Sequence, residues 1–538
     1  MTSHDDSQLD RIRRVLPRIL PAFLQSKRWF AGKAETLHSI EIEDSFRMAG
    51  AYLFLVRVLY ASGRSQRYAL PLKAAPIPDA ALASSADTSQ LVIKPENGFR
   101  GCVLSDALED RSFAQFLLAC IREQVSVGGD DGELVAAPTS AFSRLANASP
   151  GWPMELEPSV MRVEQSNTSI NYGGKLMLKF FRRPEEGINL DFETGRFLTE
   201  RVGFAHTPPV AGCVEYHRAG RPAMTLAVLQ GFIENRGDAW KYTLQNLDEY
   251  FERNAARAER PESDWAVPGS LLELAAAEPP QFVKEALGDY LDSAALLGQR
   301  TAELHLALSQ DRLDTNFAPE PFSRRDCESL SAATLTLAGR SLHLLEARLE
   351  FLPPPAREKA LRVIELKGRL FNRCREILAH VIKAERARVH GDYHLGQVLY
   401  TGTDFVIIDF EGEPERPLNE RRSKQSPLRD VAGMLRSFHY AASSALLRQT
   451  SDTGAITAPD LLAKLNVLSR FWRFWVSAQF LRTYLKIAGS AGFVPQEREQ
   501  LKLLLDLFLI DKAVYEIIYE LRNRPGWVTI PLDGILDA

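Results

Sequence analysis

RVHGDYHLGQVLY at residues 388–400, and FVIIDFEGE at residues 405–413 after Thr401-Gly402-Thr403-Asp404, decide how this chain is read. Gln397-Val398-Leu399-Tyr400 and Phe405-Val406-Ile407-Ile408 are rich in β-formers, and the four residues between them carry turn chemistry. The hairpin so predicted sets Asp392, at its entrance, beside Asp409, at its exit. Two carboxylates and the Gln397 amide converging where apolar strands end are costly without a cation or a reacting group to share. Mg²⁺ takes one or two carboxylates and completes its shell with water and substrate phosphates, so the pattern points to a phosphate-handling site. Taken singly, Asp392 reads equally well as a turn former and Asp409 as a cap. The pair about a hairpin carries the reading.

Composition sets the bounds. A chain of 538 residues has room for about two to four domains. Its 65 basic and 69 acidic residues leave a net charge of −4, which argues against a nucleic-acid or anionic-membrane partner. Five scattered cysteines without CxxC spacing suit reduced thiols rather than a disulfide framework or a zinc site. The N-terminal residues hold no apolar signal core, and no apolar run reaches membrane-spanning length, so the expected location is the cytoplasm.

Taken in order, residues 1 to about 95 read as a separate unit. A helix over Leu9 to Leu24 leads to Lys27-Arg28-Trp29-Phe30-Ala31-Gly32-Lys33, whose aromatic residues pack and whose charges are solvated. Strands follow at Ile40–Glu43 and Ala51–Tyr60, and Ala75 to Ser89 reads as a loop. A strand-rich unit spans about 96 to 230. In it a polar run, Gln165-Ser166-Asn167-Thr168-Ser169, precedes a hairpin of Ile170–Tyr172 and Lys175–Phe181 turning at Gly173-Gly174. Backbone N–H groups and the Ser166, Asn167, Thr168 and Ser169 side chains could donate to phosphate oxygens there. No Walker A motif is present.

Residues 231 to 538 turn helical. Helices are expected over Ala239 to Ala258 and Tyr290 to Leu308, with His305 as a packed residue among leucines. Two or three more span Ser323 to Ala387, broken at Pro353-Pro354-Pro355. Another begins at Ser426-Pro427, after a charged, solvent-facing loop over Glu415 to Lys424. The last, Leu501 to Leu521, carries Lys512, Glu516 and Tyr519 on one face.

HGDYHLGQ and IIDFEGEP resemble the catalytic and metal loops of kinases with the protein-kinase-like fold, in its aminoglycoside phosphotransferase-like branch. The longer IIDFEGEPERPLNERRSKQSPLRDVAGMLRSFHYAA resembles the maltokinases, often associated with trehalose synthase, as do RWFAGK near the start, QSNTS, and DKAVYEIIYELRNRPGWVTIPL near the end. The resemblance implies an α+β, bilobal fold: an N-terminal cap, a strand-rich N-lobe and a mainly helical C-lobe. It implies ATP-dependent phosphorylation of maltose at the anomeric hydroxyl, giving maltose 1-phosphate and ADP. Asp392 would then accept the hydroxyl proton, and Asp409, Gln397 and Glu411 would hold Mg²⁺. Lys179, paired with Glu193, and the Gln165–Ser169 loop would meet the nucleotide. His390, Lys512, Glu516 and Tyr519 would face the sugar, and Asp430 would brace the catalytic loop through backbone amides.

Gln397 departs from the asparagine of protein kinases, and Glu411 stands where they have glycine. The rival readings are a kinase for another sugar or amino sugar (glucosamine, another disaccharide, an aminoglycoside) and a non-catalytic nucleotide-binding module serving a trehalose synthase. A glycosidase using the two aspartates would leave Lys179 and Glu193 without work.

Overall fold

Ala51–Tyr60 is apolar at nearly every position because both of its faces are buried. It is strand β2 of a five-stranded sheet, after β1 (Leu37–Met48) and before β3 (Ser65–Ala75), β4 (Leu91–Ile93) and β5 (Cys102–Asp106), in the order β1-β2-β3-β5-β4. Phe54, Val56 and Val58 pack with Ile12, Leu16, Leu20 and Phe23 of the helix Thr2–Ser26. Leu53 and Leu55 enter a second core, shared with the sheet that follows. The first sheet therefore runs on through β5, past the boundary expected near residue 95. The computed structural model describes residues 2–77, 91–95, 101–147, 156–161, 166–256, 265–414, 416–451 and 459–537. It divides into two units, Met1–Glu234 and Asn235–Ala538.

The second sheet of the first unit has seven strands: β6 (Ser126–Gly128), β7 (Gly132–Pro138), β8 (Pro158–Met161), β9 (Thr168–Tyr172), β10 (Leu176–Phe180), β11 (Val210–Arg218) and β12 (Met224–Gly231). Their order is β6-β7-β11-β12-β10-β9-β8. β9 and β10 are joined through Gly173 and Gly174, at φ 57° and 65°, the left-handed pair that a tight hairpin turn demands. Leu176, Leu178 and Phe180 enter the shared core, so the strand's alternation sends Lys179 to the opposite face.

In the second unit the helix Tyr290–Leu308 packs along Pro459–Ala488, a 30-residue helix. Gly298 makes that approach possible, because a Cβ there would lie 2.3 Å from the Phe480 carbonyl oxygen. The Ser323–Ala387 region resolves into helices Arg324–Arg348, Pro354–Glu365 and Lys367–Glu376, with the break at Pro353. Leu428–Ser451 and Arg498–Asn523 complete the long helices that matter here. Among the described residues no helix is long and apolar enough to cross a membrane.

Candidate active site

The hairpin read from sequence is present, with Val398 opposite Ile407, Leu399 opposite Val406 and Tyr400 opposite Phe405. Tyr242 stacks on Tyr400 at 3.9 Å between ring centroids, which fixes the strand pair against the helix Ala239–Ala256. At the exit, Asp409 adopts φ +68°, a left-handed conformation in which a non-glycine residue is uncommon. Its neighbours hold it there: Ile408 N donates to the Gln397 carbonyl at 3.0 Å, and Gln397 Nε2 donates to Asp409 Oδ2 at 3.0 Å. Carboxylate oxygens of Asp409 and Glu411 come within 4.8 Å of each other. A half-buried, oxygen-rich pair of this kind fits a hard cation such as Mg²⁺. Gly391, at φ +86°, brings the entrance loop to the exit loop, since a Cβ there would stand 3.3 Å from Gly412 Cα.

On the core side of the loop lies Asp430, 1% exposed. Its carboxylate accepts from His390 N at 2.7 Å and Gly391 N at 3.0 Å, and stands 3.1 Å from His305 Nε2. Burial would push this carboxyl up; His305, His390 and the amides outweigh it and hold it below the ordinary range. His305, expected as a packed residue, is buried and also contacts Tyr484 Oη through Nδ1 at 2.9 Å. His390 was expected to face the sugar. Its ring is buried instead, 2.9 Å from the Ile408 carbonyl through Nε2 and flanked by Tyr393 and Phe410, so it ties the entrance loop to the strand before Asp409.

The other side of the loop is open. Asp392 has a quarter of its side chain exposed, with Lys512 Nζ 3.6 Å from Oδ1 and His394 Nε2 3.9 Å from Oδ2. Lys512 also donates to Glu413 Oε1 at 2.9 Å. Burial pulls the Lys512 ammonium down, but Glu413 and Asp392 together hold it above its usual value. Burial likewise pushes Glu413 up, yet Lys512, Arg429 and Arg416 draw it down to about 2.

Lys512, Glu516 and Tyr519 meet different partners. Glu516 turns to Arg436 Nη2 at 2.6 Å, while Tyr519, 42% exposed, lies under the Arg524 guanidinium. Each charged side chain reaches for the nearest opposite charge, and those charges come from different segments. The charged run after Glu415 (itself outside the described residues) is likewise drawn inward. Arg416 pairs with Glu413, Arg421 Nη1 donates to the Glu411 carbonyl at 2.9 Å, and Lys424 Nζ donates to the Thr315 carbonyl at 2.7 Å. Glu413 was missed from sequence. Its only trace there was a third acid two residues beyond Glu411.

In the first unit Lys179 lies opposite Ser169 on β9 and Val228 on β12, 8% exposed. Its Nζ is 3.4 Å from Asp191 Oδ2, a partner that sequence reasoning passed over. Glu193 is buried two residues further along the same short helix, Leu190–Arg196, which Asn189 caps by accepting from Asp191 N and Phe192 N. Ser166 and Asn167 form the bend before β9, and Thr168 Oγ1 accepts from Arg182 Nε at 2.9 Å. Gln165 lies outside the described residues.

Residues 23–110 match the maltokinase N-terminal cap domain. The N-terminal region is maltokinase-like. Two glucosamine kinases are similar to it over most of their length. One, from Mycolicibacterium smegmatis, is 25% identical over 378 residues, covering 70% of this chain and 78% of the relative. The other, from Streptacidiphilus jiangxiensis, is 24% identical over 383 residues, covering 69% and 70%. A solved glucosamine kinase in complex with glucosamine, ADP and inorganic phosphate superposes with TM-score 0.60 at 18% identity, over 96% of this chain and 98% of that one. A second crystal form gives 0.61 at 19%, over 96% of each. This likeness shows the fold: α+β and kinase-like, with a strand-rich sheet domain, a helical C-terminal part and an N-terminal cap.

Proposed function

We propose that this protein is an ATP-dependent sugar kinase that phosphorylates maltose at the anomeric hydroxyl, giving maltose 1-phosphate and ADP. The observation that carries the reading is the hairpin with Asp392 before it and the left-handed Asp409 after it. Asp392 orients the attacking hydroxyl and takes its proton, and Lys512 limits where that carboxylate can swing. Asp409, Glu411 and Gln397 would hold Mg²⁺, which when bound neutralises charge on the phosphates. Lys179 meets nucleotide phosphate, steadied by Asp191 and Glu193, with the Gln165–Ser169 segment as further donors. Little covalent work is asked of the protein, because positioning and charge complementarity supply most of the rate in phosphoryl transfer. The maltokinase cap favours maltose as acceptor, and a trehalose synthase is the partner such an activity would serve.

A second acceptor, glucosamine, is favoured by the named activity of the relatives that span about seventy per cent of this chain. A panel of sugars incubated with MgATP and followed by ³¹P NMR separates the two. An anomeric phosphate doublet with maltose, and none with glucosamine, is the expected result. Product with glucosamine alone would overturn maltose, and no product with any sugar would overturn the kinase reading.

A further inference from the structure

Within the second unit, a cavity of about 280 Å³ opens among the helices Leu428–Ser451, Pro459–Ala488 and Arg498–Asn523. Four cationic side chains, Arg436, Arg470, Arg473 and Lys502, line it against two carboxylates, Asp506 and Asp537. Arg436 is matched by Glu516. Arg473 and Arg470 share Asp537, the latter at 3.6 Å, and Lys502 shares Asp506 with Arg373, at 2.5 and 2.7 Å. Each acid in the wall is thus divided between two cations.

His439 makes the surplus of donors explicit. It is buried, with Nδ1 2.6 Å from Arg436 Nη1 and Nε2 2.8 Å from Arg473 Nη1. Guanidinium N–H groups only donate, and a neutral imidazole accepts at one nitrogen alone, so one of these contacts sets N–H against N–H. Burial, Arg473 and Arg436 push this imidazole well below its ordinary pKa, so the ring stays neutral beside them. An added anion relieves such a site, and paired guanidinium forks match the oxygens of a phosphate. The remaining wall is largely apolar, with Leu271, Leu272 and Phe474, and suits a carbon skeleton.

We propose that this cavity binds a small phosphomonoester, its phosphate against Arg470, Arg473 and Lys502 and its body against Leu272 and Phe474. None of these residues belongs to the loop of Asp392 and Asp409, so the proposal stands apart from the acceptor assigned above.

Titration calorimetry on the full chain tests it, with glucose 6-phosphate and inorganic phosphate as separate probes. Removing one charge-assisted contact weakens binding by about tenfold, so R473Q is expected to bind glucose 6-phosphate at least that much more weakly than the wild type. Arg470 has 61% of its side chain exposed, so R470Q keeps the fold should R473Q fail to, and it too is expected to bind more weakly. D409N is expected to bind as the wild type does. Undiminished binding in R470Q, or loss of binding in D409N, overturns the proposal. Inorganic phosphate is expected to bind more weakly than the ester; equal affinity overturns the contact with Leu272 and Phe474.

Discussion

Asp392 and Asp430 flank one dipeptide, His390-Gly391, from opposite sides. Asp430 faces the core, where two backbone amides and the His305 imidazole lie within 3.1 Å of its oxygens. Asp392 faces outward, with the Lys512 ammonium at 3.6 Å and the His394 imidazole at 3.9 Å. The saturated carboxylate fixes the loop. In the proposed mechanism the less saturated one meets the incoming hydroxyl. Rigidity is concentrated on the Asp430 side, and under the proposed mechanism this presents Asp392 without needing to reorganise.

The comparison breaks if the two aspartates exchange roles under mutation. Asp392→Asn is expected to lower kcat by about 10²–10⁴, the range for loss of a general base, while nucleotide affinity is kept. Steady-state transfer assays and an ADP titration read both; near-normal turnover would remove Asp392 from the chemistry. Asp430→Ala is expected to cost about 3–5 kcal/mol in urea unfolding, because buried donors lose their acceptor. A loss below about 1 kcal/mol would show that the loop is fixed by something else.

Glu413 sharpens the contrast through pH. Its folded value of about 2 lies below the ordinary 4.5, so its stabilisation is complete above pH 4.5 and disappears as pH falls through about 2. That shift corresponds to about 3 kcal/mol. Glu413→Gln is expected to be less stable than the wild type at neutral pH by roughly that amount, and the difference should close between pH 4.5 and 2 in acid unfolding. A gap that persists at pH 2 would contradict this. The smallest effect is expected at Tyr519. Tyr519→Ala should change stability by no more than about 0.5 kcal/mol, so a rise in KM for the sugar would mark contact with it. An unchanged KM would take Tyr519 out of the sugar site.

Locally encoded features were the legible ones. The hairpin about Thr401–Asp404, the Gly173-Gly174 turn and the helix Tyr290–Leu308 follow from turn chemistry and apolar period within a few residues. The helix Pro459–Ala488 escaped because apolar residues are spread around it rather than gathered in a stripe: it is wrapped by other elements and so shows no period to read. β3 and β5 escaped for a related reason, since their strand identity rests on pairing in the five-stranded sheet.

The candidate site divides in the same way. Sequence named Asp392, Asp409, Gln397 and Lys179 because short motifs and strand position single them out. It did not yield Asp191 beside Lys179, Glu413 beside Lys512, or the burial of His390 against the Ile408 carbonyl. What the amino-acid order determined by itself was which short segments form strands, turns and helices, and which residues carry reactive groups. Which charges neutralise one another, and which face solvent, was decided only in the tertiary structure. Electrostatic partners are set by distance in space, and folding brings within 4 Å groups that the chain holds a hundred residues apart.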